Sequence, residues 1–229
     1  MIILLILLST AASAVTSSAI SNFKNHYDDP AILRNETWPK INFPYESDTT
    51  DRVYLWDESS KTLIDLKLSG QSKFSASLNQ LFKSVSTVDT QGNLITSSII
   101  VTSLNSNKTI MYLANQKDCI SEDVKIEITV KEFIDRAFDP QYYPTFHFAG
   151  QHAPVWDQET LYNVINDVNS QGKIRSSFFY RIDTGSLRYN AVYSDKTQVY
   201  DFGQGYVQTN FTIKDFQIKE CPQNRQFFE

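Results

Sequence analysis

Short stretches of alternating apolar and polar residues, separated by brief polar turns, recur from Arg52 towards the C-terminus. Residues 53–56 and 63–68 flank a polar turn at 57–60, which is typical of a β-hairpin. Alternation with a period of two places every second side chain on the same face of a strand. Because the stretches follow one another closely, they predict an antiparallel sheet, since parallel neighbours need crossovers of about a dozen residues or more.

Aromatic and β-branched residues, which suit pleated strands, are concentrated in these stretches, and the chain contains 12 Tyr and 15 Phe. The sequence therefore predicts a mainly β fold with a minor helical part. Residues 75–82 fit a helical turn or a strand equally well, because so short a segment shows no decisive period. Further strands are predicted at residues 85–88, 94–101, 109–113, 124–131, 174–182, 186–193, 197–202 and 206–213.

Two segments show helical signals. Thr129 and Glu132 match the capping-box pattern, which predicts a short helix through residues 133–138 that ends before Pro140. Residues 159–166 place their apolar side chains on one helical face and predict a second helix.

The N-terminus predicts export. An apolar run from Met1 to Leu8 is followed by small residues ending at Ala14, as in a secretory signal peptide cut after residue 14. The alternative, an uncleaved anchor, needs roughly 20 apolar residues, and the polar stretch that begins at Thr16 interrupts the run. We therefore expect a signal peptide (1–14), an irregular N-terminal arm (15–50) and a single antiparallel β domain (51–229), without a transmembrane segment.

Export places the mature protein outside the cell or in the lumen of the secretory and endolysosomal pathway. The chain has a formal net charge of −5. Nucleic-acid binding needs clustered Lys and Arg to neutralise phosphates, and this chain has no such cluster. Nucleic acids are therefore not expected as partners.

The chain contains two cysteines, Cys119 and Cys221. In an oxidising compartment they predict an intramolecular disulfide that joins the middle of the chain to its tail. Two free thiols or an intermolecular pair are the alternatives. Three N-glycosylation sequons begin at Asn35, Asn107 and Asn210 and predict surface positions.

The densest group of metal-ligand residue types lies between His147 and His152, followed by Asp157 and Glu159. Zinc catalysis needs at least three protein ligands, and the two histidines lack the spacing that places both on one helix face. Gly150 favours a loop here, although His147 also fits a strand. We predict no metal site.

No catalytic motif is recognisable. A G-x-S-x-G elbow is absent, and Gly203 and Gly205 lack the remaining residues of a phosphate-binding loop. We therefore predict no catalytic residues and no enzymatic activity, with a hydrolase of unrecognised type as the alternative.

Two parts of the chain share a pattern. Each has an aromatic strand ending in Asp, at residues 52–57 and 178–183, and later a tyrosine-containing strand that leads to Cys119 or Cys221. This arrangement resembles the ependymin-related secreted glycoproteins. The resemblance implies a curved antiparallel sheet, or half-barrel, with one or two short helices on one face, similar to bacterial lipoprotein carriers. It also implies a hydrophobic ligand in the concavity, calcium binding as the one cofactor to consider, and homodimer formation.

We therefore expect a secreted glycoprotein that binds a hydrophobic, lipid-like ligand. The alternative is an extracellular structural or adhesion glycoprotein without a small-molecule ligand. Aromatic strand residues are the candidates for lining a ligand cavity, and filling the core is their alternative role. These candidates are Phe146, Phe148, Phe178, Tyr180, Tyr189, Tyr193, Tyr200 and Tyr206.

Production in a eukaryotic secretory host tests the prediction of export. We expect the mature chain to begin at Val15 and to lose mass on N-glycosidase treatment, measured by intact mass spectrometry. Substituting Asn107→Gln should remove one glycan. Asn93→Gln, outside any sequon, should leave the mass loss unchanged. A mass that N-glycosidase treatment leaves unchanged would contradict the prediction of glycosylation.

Overall fold

The computed structural model describes residues 38–123, 128–137, 139 and 141–221. These residues form one curved, open antiparallel sheet of 12 strands with a single short α-helix, so the predicted mainly β class is confirmed. The signal peptide and the Asn35 sequon lie outside the described residues, as does most of the strand predicted at 124–131. The strands are β1 Glu46–Asp57, β2 Thr62–Ser75, β3 Gln80–Val88, β4 Leu94–Ser103, β5 Lys108–Leu113, β6 Asp118–Asp123, β7 Phe146–His152, β8 Tyr162–Val168, β9 Ile174–Arg181, β10 Leu187–Val192, β11 Gln198–Asp201 and β12 Val207–Gln208.

The sheet consists of two meanders. One runs from β1 to β6 and the other from β7 to β11, and the strand order is β6-β5-β4-β3-β2-β1-β11-β10-β9-β8-β7. The meanders join where β1 pairs antiparallel with β11, and the short β12 also pairs with β1. The two edges of the sheet are therefore β6 and β7, which are consecutive in the chain.

The hairpin turns follow from local chemistry. Asn79 and Asn107 have φ angles of 55° and 53°, a left-handed conformation that asparagine tolerates better than most residues. Asn79 lies between β2 and β3, so residues 75–82 form a strand end, a turn and a second strand rather than a helix. Asn107 lies between β4 and β5, in the gap between the strands predicted at 94–101 and 109–113.

The helix predicted at residues 159–166 is wrong, because these residues lead into strand β8. Five consecutive β8 residues, Tyr162 to Asn166, are buried. A strand covered on both faces lacks a polar side, and its apolar spacing then fits a helix equally well. The predicted strand 206–213 is mostly wrong: only Val207–Gln208 is extended, and a 3-10 helix follows at Ile213–Phe216. Strand β1 starts at Glu46, before the predicted boundary at residue 51.

Helix α1 (Val130–Arg136) forms where the capping box predicted it. The Thr129 hydroxyl accepts a hydrogen bond from the Glu132 backbone N–H at 3.1 Å, and the Glu132 carboxylate accepts one from the Thr129 N–H at 2.8 Å. The Val130 N–H donates to the Asn79 side chain at 2.8 Å, so the β2–β3 turn holds the first turn of α1.

One large apolar cluster, here called the concave cluster, lies on the face of the sheet that α1 covers. Helix α1 has 7 residues and so spans about 10 Å, whereas neighbouring strands in a sheet lie about 4.8 Å apart. The cluster nevertheless includes side chains from β2 and β3 and from β7 to β10, so the sheet must curve around α1. Its buried members are Phe74, Leu81, Leu104, Val130, Phe133, Ile134, Phe146, Ile165, Phe178, Tyr180, Leu187, Phe202 and Tyr206.

The C-terminal segment covers part of the opposite, convex face. Phe216 and Ile218 pack against Phe82, Val101 and Ile110 of strands β3 to β5, and Phe216 is fully buried. The 3-10 helix therefore closes an apolar surface that β3, β4 and β5 would otherwise expose.

A loop covers the other part of the convex face. The Trp156 ring lies edge-on to Phe179, with ring centroids 5.6 Å apart, and to Tyr189, at 6.0 Å. Tyr162 belongs to the same cluster. Both faces of the sheet thus carry apolar cores.

The predicted disulfide is confirmed, since Cys119 of β6 is bonded to Cys221. The bond closes a loop of 102 positions and holds the end of the convex-face segment against the edge strand. Cys221 itself is buried in the cluster formed with Phe216. Covalent closure and apolar packing therefore act on the same segment.

Replacing both cysteines with serine should destabilise the fold by about 3–5 kcal/mol, because the unfolded chain regains the freedom that a long closed loop removes. Urea denaturation of the wild type and the double variant would measure the change. Reductant should lower the stability of the wild type and leave the variant unaffected. Equal stabilities would show that the bond contributes nothing.

Candidate functional site

The eight aromatic residues predicted to line a cavity lie on both faces of the sheet. Tyr189 and Tyr193 belong to the convex cluster around Trp156. The others contribute to the concave cluster, and Tyr180 is fully buried there. The residues on the concave side are Phe146, Phe148, Phe178, Tyr180, Tyr200 and Tyr206.

Residues 38–45, here called the crossing segment, form no strand and run along the concave cluster. The Asn42 N–H donates to the Gly185 carbonyl at 2.9 Å, and the Tyr45 carbonyl accepts from the Ala76 N–H at 3.0 Å. Gly185 has a φ of 68°, and a Cβ at this position would lie 2.5 Å from the Lys40 carbonyl oxygen. Glycine is therefore required at position 185 of the β9–β10 turn, because the crossing segment passes directly against it.

Phe43 attaches the middle of the crossing segment to the concave cluster. Its ring stacks on Tyr206 with centroids 4.1 Å apart and meets Phe74 edge-on at 5.0 Å. Aromatic pairs in these geometries contribute roughly 0.5–1.5 kcal/mol beyond the burial of their area. Two turns and an aromatic contact thus hold the segment in place.

A groove lies between the crossing segment and α1, with a volume of about 520 Å³. The crossing segment supplies an apolar wall, and Ile134 and Ala137 of the α1 region supply another. Polar groups of Tyr45, Asp135 and Gln141 also border the groove. The lining residues are Trp38, Pro39, Ile41, Phe43, Tyr45, Ile134, Asp135, Ala137, Asp139 and Gln141.

A hydrogen-bonded network fixes one side of this groove. The Tyr45 hydroxyl donates to the Asp135 carboxylate at 2.5 Å, and the Lys131 ammonium donates to the same carboxylate at 2.6 Å. The Lys131 ammonium also lies 4.8 Å from the centre of the Tyr45 ring. The hydrogen bond from Lys131, followed by that from Tyr45, lowers the pKa of Asp135. The groove therefore has apolar walls and an ionised border.

The concave face also contains charged residues, which lie on strands β1 and β3. Asp51 of β1 is paired across the sheet with Gly70 of β2, and Thr49 is paired with Ser72, which is in turn paired with Lys83 of β3. Lys83 is only 9% exposed. A Cβ on Gly70 would lie 2.4 Å from the Asp51 carboxylate oxygen, so glycine leaves the space that this carboxylate fills. We call Thr49, Asp51 and Lys83 the polar cluster.

Burial dominates the titration of this cluster. It raises the pKa of Asp51 to about 6, and the charge of Lys83 and a backbone hydrogen bond from Gly70 offset the effect only in part. Burial likewise lowers the pKa of Lys83, against the charge of Asp51. The phenol pKa values of Tyr200 and Tyr206 rise through burial and then through the nearby charge of Asp51.

The buried polar groups of the concave face without a hydrogen-bond partner in the part of the chain that the structure describes include the Ser47 hydroxyl and two groups nearer the middle of the sheet. These two groups are the hydroxyl of Thr49, which is 3% exposed, and the amide nitrogen of Asn190, which is 2% exposed. Asn190 is paired with Tyr200 on β11, which is in turn paired with Val53 of β1. Unpartnered buried groups are costly and uncommon in native proteins, so water or another polar partner is expected beside each of them.

The histidine group lies on strand β7, so the strand that the sequence also allowed for His147 is confirmed and the loop that Gly150 favoured is not formed. Gly150, with a φ of 87°, sits where the β7–β8 register shifts, which allows a strand to continue past a residue that suggested a loop. His147 pairs with Asn166 and His152 with Tyr162, at opposite ends of the strand. Within residues 38–123, 128–137, 139 and 141–221, no three His, Cys, Asp or Glu side chains are grouped to hold a metal ion.

None of the helices in the described ranges is long and apolar enough to cross a bilayer. The fold and the groove together define a mainly β protein with a curved open sheet and a partly apolar recess. Comparisons with protein-family models and with curated proteins gave no match. The resemblance to the ependymin-related glycoproteins therefore stays a prediction.

Asp51 should make stability depend on pH. Its pKa of about 6 exceeds that of an exposed aspartate, so the folded state binds this proton more tightly than the unfolded state. The resulting stabilisation is fully present below about pH 4 and disappears as the pH rises through about 6. Relative to Asp51→Asn, the wild type should lose up to about 3 kcal/mol over this range, measured by urea denaturation.

Asp89 provides a control, because it is exposed and the hydrogen bond from the Asn93 side chain lowers its pKa. Relative to Asp89→Asn, the wild type should gain stability as the pH rises through the acidic range, because a lowered pKa in the folded state favours folding once the carboxylate is ionised. If the wild type and Asp51→Asn gave parallel stability curves, Asp51 would not be a titrating buried group.

Proposed function

We propose that this chain is a secreted glycoprotein that binds a hydrophobic, lipid-like ligand on the concave side of its sheet. The observation that carries the proposal is the groove of about 520 Å³ between the crossing segment and α1. Small-molecule sites typically measure roughly 300–1,000 Å³ and combine apolar walls with a few polar groups. In this arrangement Ile41, Phe43 and Ile134 contact the apolar part of the ligand.

The proposal that the protein is exported has its own support. A disulfide between Cys119 and Cys221 is typical of an oxidising compartment. Asn107 and Asn210, which begin two of the sequons, have exposed side chains. Membership of the ependymin-related glycoproteins, calcium binding and homodimer formation belong to the same proposal and rest on the sequence resemblance.

The alternative is an extracellular adhesion glycoprotein without a small-molecule ligand. One observation favours it: Leu94 and Ile95 are adjacent apolar residues at the start of β4 and are 61% and 54% exposed. Neighbouring exposed apolar side chains are a feature of protein interaction surfaces. In that case the aromatic side chains of the concave cluster serve only as core.

Binding of the neutral fluorophore Nile red distinguishes the two functions. We expect saturable binding by the wild type, measured by fluorescence titration. Ile41→Asp should weaken it at least about tenfold, because a carboxylate would have to be desolvated in the groove. Ala137→Trp, which fills the groove with an indole ring, should have the same effect without adding a charge.

Leu94→Asp is the matched control, since it places the same charge on an apolar residue outside the groove. It should bind Nile red as the wild type does. Absence of binding by the wild type, together with absence of lipid in native mass spectra of the purified protein, would contradict the proposed ligand and favour the adhesion function.

A further inference from the structure

The polar cluster is not explained by apolar ligand binding or by core packing. Removing a carboxylate and an ammonium group from water is costly, and apolar residues of similar size often stabilise a fold better than such a pair. Lys83 is nevertheless buried and Asp51 partly buried on the same face. Gly70, located between them in the sheet, leaves space for the carboxylate.

The side chains of the polar cluster have the charge and hydrogen-bonding groups that suit the polar head group of a lipid-like ligand. The Thr49 hydroxyl supplies a hydrogen-bonding group without a protein partner in the described chain, and Lys83 supplies a positive charge two strands away. Asp51 lies on the same face of β1 as Thr49, because the two residues are separated by two positions. A cation, a hydroxyl and a titratable acid therefore occupy one region of the concave face.

The polar cluster and the groove are linked through two aromatic rings. Phe43 lines the groove and stacks on Tyr206 at 4.1 Å, and the phenol of Tyr206 lies within electrostatic range of Asp51. The Phe43 and Tyr206 rings therefore lie between the groove and Asp51. Phe43 belongs to the crossing segment, which is not part of the sheet.

We propose, on the basis of the function proposed above, that the polar cluster binds the carboxylate head group of a long-chain acid when Asp51 is protonated. The Lys83 ammonium pairs with the ligand carboxylate, and the Thr49 hydroxyl and the protonated Asp51 donate hydrogen bonds to it. When Asp51 is ionised, two carboxylates compete for one ammonium group and binding weakens. A carboxylate fits better than a phosphate because its single charge matches the one cation of the cluster.

Among the residues that the structure describes, the charged and titratable groups that act on Asp51 come from β3, β11 and the turn after β11. They are Lys83, Tyr200 and Tyr206. Both phenols have raised pKa values and stay neutral at and below pH 8, so neither tyrosine changes its charge between pH 5 and pH 8.

Fluorescence titrations with cis-parinaric acid and with the alcohol of the same chain would test the proposal at about pH 5 and pH 8. The wild type should bind the acid about tenfold more tightly at the lower pH and bind the alcohol equally at both. Asp51→Asn should bind the acid tightly at both pH values. Lys83→Met should lose about tenfold in affinity for the acid and keep its affinity for the alcohol.

Two further variants complete the test. Lys61→Met removes an exposed lysine from the β1–β2 turn and should bind both probes as the wild type does. Lys83→Arg keeps the positive charge and should keep the preference for the acid, which remains measurable if Lys83→Met does not fold. Binding of both probes with the same affinity at each pH would overturn the head-group site and leave the groove intact. Binding of neither probe would overturn both proposals.

Discussion

The antiparallel pairing of β1 with β11 is the interaction on which the architecture depends. It runs from Arg52 opposite Asp201 to Leu55 opposite Gln198 and joins two meanders that are otherwise built from local hairpins. Bringing such distant residues together costs chain entropy before any contact compensates for it. The concave cluster provides that compensation, because α1 and the crossing segment pack against side chains of both meanders. Curvature follows, since a flat sheet would place the two meanders out of reach of one short helix.

Much of this fold could be predicted from local patterns. Polar turns between alternating segments predicted most hairpins, and the Thr129 capping box predicted α1. The two cysteines, in a chain that the sequence predicts to be exported, predicted their own pairing. Strand β8 was missed because it is buried on both faces, which removes the alternation that identifies a strand. The course of the C-terminal segment was missed because the 3-10 helix depends on the apolar surface that Phe216 covers.

The candidate site was harder to predict, because it depends on register. Asp51 and Lys83 are far apart in sequence and lie on the same face only through the β1–β2 and β2–β3 pairings. A signal was nevertheless present: Lys83 occupies the same strand face as the buried Leu81, where a solvated lysine is not expected. The groove was harder still to predict from the sequence. Its walls come from the irregular segment 38–45 and from α1, and no sequence pattern shows that these two segments lie side by side.

An open sheet leaves hydrogen-bonding groups at both of its margins, and such margins can recruit other chains into aggregates. Strand β6 has exposed acidic side chains at Asp118, Glu122 and Asp123, which repel a second copy of the same edge. Strand β7 is interrupted by the register shift near Gly150, which twists the edge away from the flat geometry that a foreign strand needs. The sheet can therefore stay open without becoming a template for fibril growth.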